Sequence, residues 1–375
     1  MRYLIALVFL LLISVSSYAQ KIPHLLDNPE KLELIKKSIL QMYNWELTQA
    51  EASLQKFSSG YEKHPAVPFT KAMIMYWRNA PLDLFGNVFP KHEKLLIEAS
   101  DLAEQMLDEN EEDIEAIFFK MSARSLLMKY YADKGQTMKA VGEAKGVYKL
   151  MKKGFDLKEK LNEFYFTTGI YNYYREYYPE RYPVYKPFAW VFQSGNKTLG
   201  LEQLEYTARN ATFTSPEAYT YLSFIYLKYE KKEDKALIFA RELAQRFPKN
   251  KLFHVKYIET LVLSNRYNQV ENLAHKLTLS HRDKFYPTAG NLFKAMAYHN
   301  YRNNPEKAFE YYTKAEKNVE NLGYRFLLFK TYLYYGLSKY WADKGDSEKA
   351  KDYYKKAKEF DENDYLKTVD KPDFK

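Results

Sequence analysis

Apolar residues recur every three or four positions from Pro29 almost to the C-terminus. This is the spacing of one buried face of an α-helix. The sequence has no sustained alternation of apolar and polar residues and no Asn-Gly hairpin turn, so nothing in it indicates β-strands. Helix-breaking residues separate periodic stretches that are roughly 12 to 20 residues long. The clearest breakers are Pro65, Pro68, Pro81, Pro90, Gly135, Pro216, Pro248, Pro287 and Pro305. The pattern predicts an all-α chain of consecutive helices.

Two helix starts carry a cap residue followed by proline and glutamate. They are Ser215-Pro216-Glu217 and Asn304-Pro305-Glu306. A Ser or Asn side chain accepts a hydrogen bond from the first helical turn, and proline suits the first helical position. We therefore expect Ser215 and Asn304 to be the N-cap residues of two helices.

One motif occurs twice, 210 residues apart. Tyr130–Gly135 reads Tyr-Tyr-Ala-Asp-Lys-Gly, and Tyr340–Gly345 reads Tyr-Trp-Ala-Asp-Lys-Gly. A Lys-Ala pair follows each copy at the same distance. The Ala begins a second pattern, in which small or aromatic residues lie four and seven positions further on. Its copies are Ala350/Tyr354/Ala357, Ala308/Tyr312/Ala315 and Ala140/Ala144/Val147, with looser ones at Ala236/Ala240/Leu243, Val270/Ala274/Leu277 and Ala50/Leu54/Phe57. The motif is an internal repeat.

These residues resemble the second helix of a tetratricopeptide repeat (TPR). The anchors Ala236, Val270, Ala308 and Ala350 are 34, 38 and 42 residues apart, and the family period is 34. The resemblance covers most of residues 110–160 and 215–362 and implies a solenoid of helical hairpins, an α/α superhelix with a concave groove. In TPRs the first helix of each pair lines that groove. The groove residues implied here are Phe293, Asn300, Tyr301, Tyr332, Tyr335 and Lys339.

Residues 164–195 interrupt the period with many aromatic side chains and with Pro179, Pro183 and Pro187. We expect a helix to about Tyr178, a proline-rich turn and a short helix to Phe192. The segment has three possible roles: an irregular core between two repeat blocks, a surface that binds carbohydrate or peptide, or a contact with a membrane interface. The aromatic residues selected for the binding role are Tyr171, Tyr174, Tyr178 and Trp190. The predicted division is therefore 20–160, 161–214 and 215–375.

Part of this segment resembles a eukaryotic TPR family that includes the yeast inclusion-body clearance protein. The similar residues are Gly169-Ile170-Tyr171-Asn172 and Gly195-Asn196-Lys197, the latter followed by Gly200, Leu201 and Leu204. The resemblance covers about 40 residues and implies shared architecture, not shared function.

The N-terminus predicts export. Arg2 is followed by the apolar run Leu4–Ile13, and small residues at Ser17 and Ala19 fit a signal-peptidase site. Cleavage between Ala19 and Gln20 would remove a signal peptide of residues 1–19, whose end resembles signals of Bacteroidetes. A retained N-terminal anchor is the alternative. We expect the mature chain to be periplasmic or secreted, with no stable membrane insertion.

Charge and candidate chemistry narrow the function. The 57 Lys and Arg residues exceed the 48 Asp and Glu residues by nine, but they are interspersed with acids, so nucleic-acid binding is not expected. The chain has no Cys, which excludes disulfides and thiolate chemistry. Its seven His show no metal-binding spacing, and the acidic run Asp108–Asp113 lacks the central Gly of a calcium loop. We expect no catalytic residues, metal or cofactor.

The repeats and the missing catalytic motifs together favour a scaffold that binds a protein or peptide partner. A glycan- or nutrient-binding protein is the alternative, because SusD-type receptors also combine TPR-like helices with many aromatic residues. They differ from this chain in length and in their lipid-anchor Cys. An enzyme with an unrecognised site is the third possibility.

Overall fold

The computed structural model describes residues 22–181, 183, 186, 193–281, 283–361 and 364–374. All regular elements in these residues are helices, as the apolar spacing predicts. The α-helices are α1 (Pro29–Tyr43), α2 (Leu47–Ser58), α3 (Ala66–Arg78), α4 (Phe89–Glu109), α5 (Ile114–Asp133), α6 (Thr137–Leu157), α7 (Phe164–Arg181), α8 (Lys197–Asn210), α9 (Ser215–Lys228), α10 (Glu233–Arg246), α11 (Lys251–Leu263), α12 (Val270–Thr278), α13 (Phe285–Asn300), α14 (Pro305–Leu322), α15 (Leu327–Asp343) and α16 (Ser347–Glu359). Short 3₁₀ turns cover Tyr267–Gln269, Gly323–Phe326 and Tyr365–Lys367. The predicted signal peptide, with Ala19 and Gln20, lies outside the described residues, and so does Trp190.

Consecutive helices form hairpins that stack on one another. The most extensive helix pairs are α5/α6, α13/α14, α15/α16 and α7/α8, followed by α4/α5, α12/α13, α1/α2 and α9/α10. A single hairpin cannot bury its apolar face alone, so each hairpin depends on its neighbours. The chain is therefore an all-α stack of helical hairpins.

The two copies of the sequence motif form the same turn. Gly135 and Gly345 have φ angles of +71° and +77°, a region that glycine enters without steric cost. The next residue donates back in both turns: Gln136 N–H to Tyr131 O at 2.8 Å, and the amide of residue 346 to the carbonyl of residue 341 at 3.0 Å. The internal sequence repeat is thus a structural repeat.

A serine–alanine contact extends the repeat to the first hairpin. The Ser38 hydroxyl donates to Ala50 O at 2.7 Å, and the Ser338 hydroxyl donates to Ala350 O at the same distance. Both alanines are completely buried. The small side chain lets the two helices of each hairpin approach closely, which explains the small residue at this repeat position.

The stack curves back on itself, because the first helices contact helices some 200 residues later. The Asn250 amide donates to Tyr43 O at 2.8 Å. Nearby, Lys249 pairs with Glu46 at 2.7 Å, and the Trp45 ring packs edge-on against Tyr286. The hairpin α1/α2 therefore rests on α11 and α13.

Two details differ from the sequence prediction. Ser215 is not an N-cap: it is the first residue of α9, and its hydroxyl donates to Ala208 O at 2.6 Å. The prediction missed Glu163, whose carboxylate already accepts the amide of Thr214 at 2.8 Å. Asn304 is the predicted cap and accepts from the amide of residue 307 at 3.0 Å. The helix expected to end near Tyr178 continues to Arg181 with Pro179 inside it.

No helix in the described part of the chain is both long and apolar enough to cross a membrane.

Candidate functional site

The closed curvature leaves a cavity of about 1450 Å³, and residues of α1, α3, α5, α6, α7, α9, α10, α11 and α15 line it. Ligand pockets are typically about 300 to 1,000 Å³. Apolar side chains dominate its wall, and representative ones are Met73, Met121, Leu126, Phe166, Ile170 and Phe224. Three lining side chains, Val141, Tyr178 and Leu328, are 43–44% exposed. The cavity is therefore a large apolar chamber that reaches solvent.

Helix α9 forms one wall along its whole length. Glu217, Thr220, Tyr221, Phe224 and Lys228 all line the cavity, and their spacing of three or four residues places them on one face. With a rise of 1.5 Å per residue, Glu217 and Lys228 are roughly 16 Å apart along the helix axis. The wall thus has an ionisable group near each end and apolar surface between them.

The group at the first end is a carboxyl in apolar surroundings. Burial raises the pKa of Glu217 from its ordinary value of 4.5 to about 7, although a hydrogen bond from Tyr43 opposes the shift. That bond joins Tyr43 Oη to Glu217 Oε1 at 3.0 Å. The phenols of Tyr76 and Tyr221 are also close enough to feel its charge. Glu217 therefore changes charge near neutral pH.

The group at the other end belongs to a small charged cluster. Lys256 Nζ lies 3.1 Å from Glu259 Oε2, and the Tyr332 hydroxyl donates to Glu259 Oε1 at 3.1 Å. Burial works to raise the pKa of Glu259, but Lys256 and Lys228 outweigh it and hold that pKa below its ordinary value. Lys228 Nζ lies 6.0 Å from the centre of the Tyr332 ring. Two ammonium groups and one carboxylate leave this end with one net positive charge.

Three of the aromatic residues selected from the sequence line the chamber. Tyr171, Tyr174 and Tyr178 follow one another along α7, and the rings of Tyr174 and Tyr178 stack with centres 5.2 Å apart. The Tyr171 hydroxyl donates to Gln193 O at 2.5 Å. These tyrosines pack against neighbouring aromatic rings and also form part of the cavity wall.

Glycines hold α7 in the position that exposes these tyrosines to the chamber. A Cβ on Gly200 would lie 2.6 Å from Tyr173 N and 2.8 Å from Gly169 O, so only glycine permits this approach of α8 to α7. One residue from each helix adds a buried hydrogen bond, from the Asn172 amide to Gln203 Oε1 at 2.9 Å. The motif that resembles the eukaryotic TPR family is therefore a packing motif here.

The groove residues implied by the TPR resemblance do not form one surface. Phe293 is completely buried in the core, so it has no surface to offer a partner. Tyr332 is also buried, beside the charged end of the chamber.

The other four positions have polar or exposed side chains. Lys339 donates to Asn300 Oδ1 at 3.3 Å, and the Tyr335 hydroxyl donates to Asp370 O at 3.0 Å. Tyr301 is 53% exposed. Of the implied set, the structure brings together only Asn300 and Lys339 through a side-chain hydrogen bond.

Sequence reasoning missed both ionisable groups at the ends of α9. The sequence pattern indicates Glu217 only as an acid in the first helical turn, and it does not distinguish Lys228 from other lysines. Their helical spacing could have identified them, because it places both residues on the helix face of Tyr221 and Phe224. That face is otherwise apolar or aromatic. A charged residue on such a face indicates either a buried partner or a ligand.

A second buried polar cluster lies outside the chamber. The Glu115 carboxylate accepts from the amides of Leu25 and Leu26, at 2.8 and 2.7 Å, and lies 2.8 Å from His64 Nε2. Burial works to raise the pKa of Glu115, but these hydrogen bonds prevail and lower it. The cluster fastens the segment before α1 to α5. The described residues hold no group of three or more His, Asp or Glu side chains arranged to bind a metal ion.

No protein-family model matches the chain, and no curated protein matches its sequence. Its class follows from the fold: an all-α helical-hairpin repeat protein, compatible with a TPR-like architecture and with a large apolar chamber inside the curve.

Proposed function

We propose that this is a non-catalytic binding protein that holds an elongated apolar chain, such as the acyl chain of a lipid, in the chamber. The observation that supports it most directly is the combination of size and lining. A cavity of about 1450 Å³ with apolar walls is costly to leave filled with water. An apolar ligand gains about 25 cal/mol for each Å² of its surface that leaves water.

Methionine enrichment supports a flexible ligand. Five of the ten methionines in the chain line the chamber: Met42, Met73, Met121, Met128 and Met151. The methionine side chain is unbranched and polarizable, so it adapts to ligands of different shape. A wall of this kind suits a chain that bends inside the cavity better than a rigid ring system.

The same lining argues against the other ligand classes. A glycan needs many hydrogen-bond partners, but the hydroxyls of Tyr43 and Tyr171 are already engaged with the protein. An extended peptide would bring backbone amides into apolar surroundings, and each unpaired amide costs about 1 to 3 kcal/mol. A partner protein that inserts an apolar segment is the competing occupant, and the experiments below separate the two.

Two finer assignments belong to the same proposal. We infer that the hairpins are degenerate TPRs, which is supported by the shared turn at Gly135 and Gly345 and by the buried small residues. We also infer that the mature protein acts in the periplasm or outside the cell, on the basis of the signal sequence that ends at Ala19.

The test is a titration with the neutral apolar fluorophore N-phenyl-1-naphthylamine. The mature chain should bind it with a saturable rise in fluorescence. Ser125→Trp places an indole in the chamber and should reduce binding at least tenfold, because Ser125 lines the cavity. Ser59→Trp is the matched control, since Ser59 is exposed and does not line the cavity. Equal binding by both variants would contradict the proposal, provided that both keep the helical circular-dichroism spectrum.

A further inference from the structure

We infer that the ligand in the chamber is an amphiphile with a carboxylate head group, as in a long-chain fatty acid, and that Lys228 binds this group. This inference rests on the proposed function and adds the polarity and orientation of the ligand. Its basis is the contrast between Lys228 and the other lysines of the cavity wall.

Lys228 is half-buried, and no carboxylate of the described residues forms an ion pair with it. Its Nζ has the Tyr332 ring as a neighbour at 6.0 Å, and none of the described residues places a carboxylate within 4 Å of it. The other two lysines of the wall are paired, Lys256 with Glu259 and Lys129 with Asp133. Lys228 thus has an unused capacity to bind an anion at the wall of an apolar cavity.

The nearby carboxylate does not neutralise Lys228. Glu259 already accepts from Lys256 and from Tyr332, both at 3.1 Å. Burial lowers the pKa of Lys228, Lys231 and Lys256 lower it further, and Glu259 and Asp361 oppose the shift without cancelling it. Burial destabilises the charged form of an ammonium group, and an anion bound beside it stabilises that form again. A ligand carboxylate would therefore stabilise the charged form of Lys228.

The opposite end of α9 sets the direction of the ligand. Glu217 lies roughly 16 Å from Lys228 along the helix, and its carboxyl is neutral or negative, never positive. Glu217 therefore repels an anionic head group when it is charged and does not attract one when it is neutral, whereas Lys228 attracts it. The apolar side chains between them, such as Phe224 and Leu227, then face the hydrocarbon chain.

Arg175 is the rival position for the head group. It also lines the chamber, on α7, where it interacts with the Tyr171 hydroxyl. That hydroxyl engages part of its donor capacity, and we place the carboxylate at Lys228, on the same wall as the apolar face of α9. A variant at each position distinguishes the two.

The experiment is displacement of N-phenyl-1-naphthylamine from the mature chain by oleate and by oleyl alcohol, which share one tail and differ in head-group charge. Wild type should bind oleate about ten- to a hundredfold more tightly than the alcohol, the range for a hydrogen bond to a charged group. Lys228→Met should abolish this preference by weakening the binding of oleate about ten- to a hundredfold. Lys228→Arg should restore it.

Lys235→Met is the charge-matched control. Lys235 is exposed, lies outside the cavity wall and pairs with Glu205 at 3.6 Å, so its loss should leave the preference for oleate intact. Equal affinity of wild type for oleate and oleyl alcohol overturns the inference and leaves the proposed function standing. Loss of the preference in Arg175→Met but not in Lys228→Met also overturns it. Failure of the fluorophore and both ligands to bind wild type rejects the proposed function itself.

Discussion

The hydroxyl of Tyr43 donates to Glu217 at the chamber wall at 3.0 Å and connects two helices whose residues are 174 positions apart. This hydrogen bond belongs to the contact that turns an open stack of hairpins into a closed one. It also places an ionisable carboxyl at an apolar wall, where the charged form is poorly solvated. The contact between Tyr43 and Glu217 therefore both helps to close the stack of hairpins and places a carboxyl at the apolar wall.

Glu217 gives the protein a pH dependence of known sign. Its pKa is about 7 in the folded state against an ordinary 4.5, so the folded state binds the proton more tightly than the unfolded state. The contribution to stability is full below pH 4.5 and is lost as pH rises to 7. Glu217→Gln keeps an uncharged hydrogen-bond acceptor for Tyr43. We predict that it stabilises the protein by about 1 to 3 kcal/mol at pH 8 and little at pH 4.5.

Urea unfolding of wild type and Glu217→Gln at both pH values measures this effect. Glu202→Gln, a change at an exposed position, should show no such difference between the two pH values. If wild type and Glu217→Gln have parallel stability profiles from pH 4.5 to 8, the carboxyl is not buried as described.

Glu115 acts in the opposite direction and in a lower window. Its pKa is lowered in the folded state, so its contribution to stability is present above pH 4.5 and is lost as pH falls through the folded-state pKa. Glu115→Ala leaves the amides of Leu25 and Leu26 and the ring of His64 without an acceptor. We predict a loss of about 3 kcal/mol or more at pH 7, from about 1 to 3 kcal/mol for each unsatisfied buried group.

Thermal unfolding and hydrogen exchange of the segment before α1 measure that loss. Glu112→Ala removes an exposed carboxylate three residues away and should change the melting temperature little. Equal effects of the two substitutions would show that Glu115 does not fasten the segment.

The close approach of α7 and α8 depends on Gly200. A methyl group there would lie 2.6 Å from Tyr173 N, so the two helices must separate in Gly200→Ala. We predict a destabilisation of about 1 to 3 kcal/mol, the usual cost of overpacking. Weaker binding of N-phenyl-1-naphthylamine should follow, because α7 carries the chamber tyrosines.

Gly142→Ala is the matched control within α6. A Cβ at Gly142 has no neighbour within 4 Å, so alanine there should stabilise the helix by about 0.5 to 1 kcal/mol. Chemical denaturation measures the free energy of unfolding of both variants, which should fall in Gly200→Ala and rise in Gly142→Ala. A neutral Gly200→Ala would mean that α7 and α8 pack less closely than the structure describes.

The repeated turn makes a quantitative comparison possible. Gly135→Ala and Gly345→Ala both force a side chain into a positive-φ conformation with no steric neighbour, so the cost is purely conformational. We predict that each destabilises the protein by about 1 to 2 kcal/mol and that the two values agree. Urea unfolding measures both, and clearly unequal values would contradict the structural equivalence of the two turns.

The helices and their hairpin turns were predictable because their signals are local. The spacing of apolar residues, the recurring Gly and the small residues at positions such as Ala50 and Ala350 all act within one hairpin. The contact of the later helices with the first hairpin was not predictable, because it depends on pairs such as Asn250 with Tyr43, which are 207 residues apart. The resemblance to TPRs predicted that Phe293 lines a surface groove, whereas the stacking of the hairpins buries it completely.

The sequence singled out the aromatic segment by its tyrosines and prolines, and in the structure α7 and α8 form a hairpin like the others. Tyr171, Tyr174 and Tyr178 do line the chamber, although a count of aromatic residues could not reveal a cavity beside them. Residues of nine helices line the chamber, so no single stretch of sequence reveals it. The importance of Glu217 and Lys228 became apparent only when the structure showed that their face of α9 lines the chamber.

The central claim is that the chamber holds an apolar chain, and native mass spectrometry of the mature protein, purified without detergent from its own organism, tests it most directly. We predict a bound species of lipid mass that an organic solvent releases, and that Ser125→Trp lacks while Ser59→Trp retains it. A wild-type protein that carries no such species, and takes up none when incubated with oleate or oleyl alcohol, would contradict the claim.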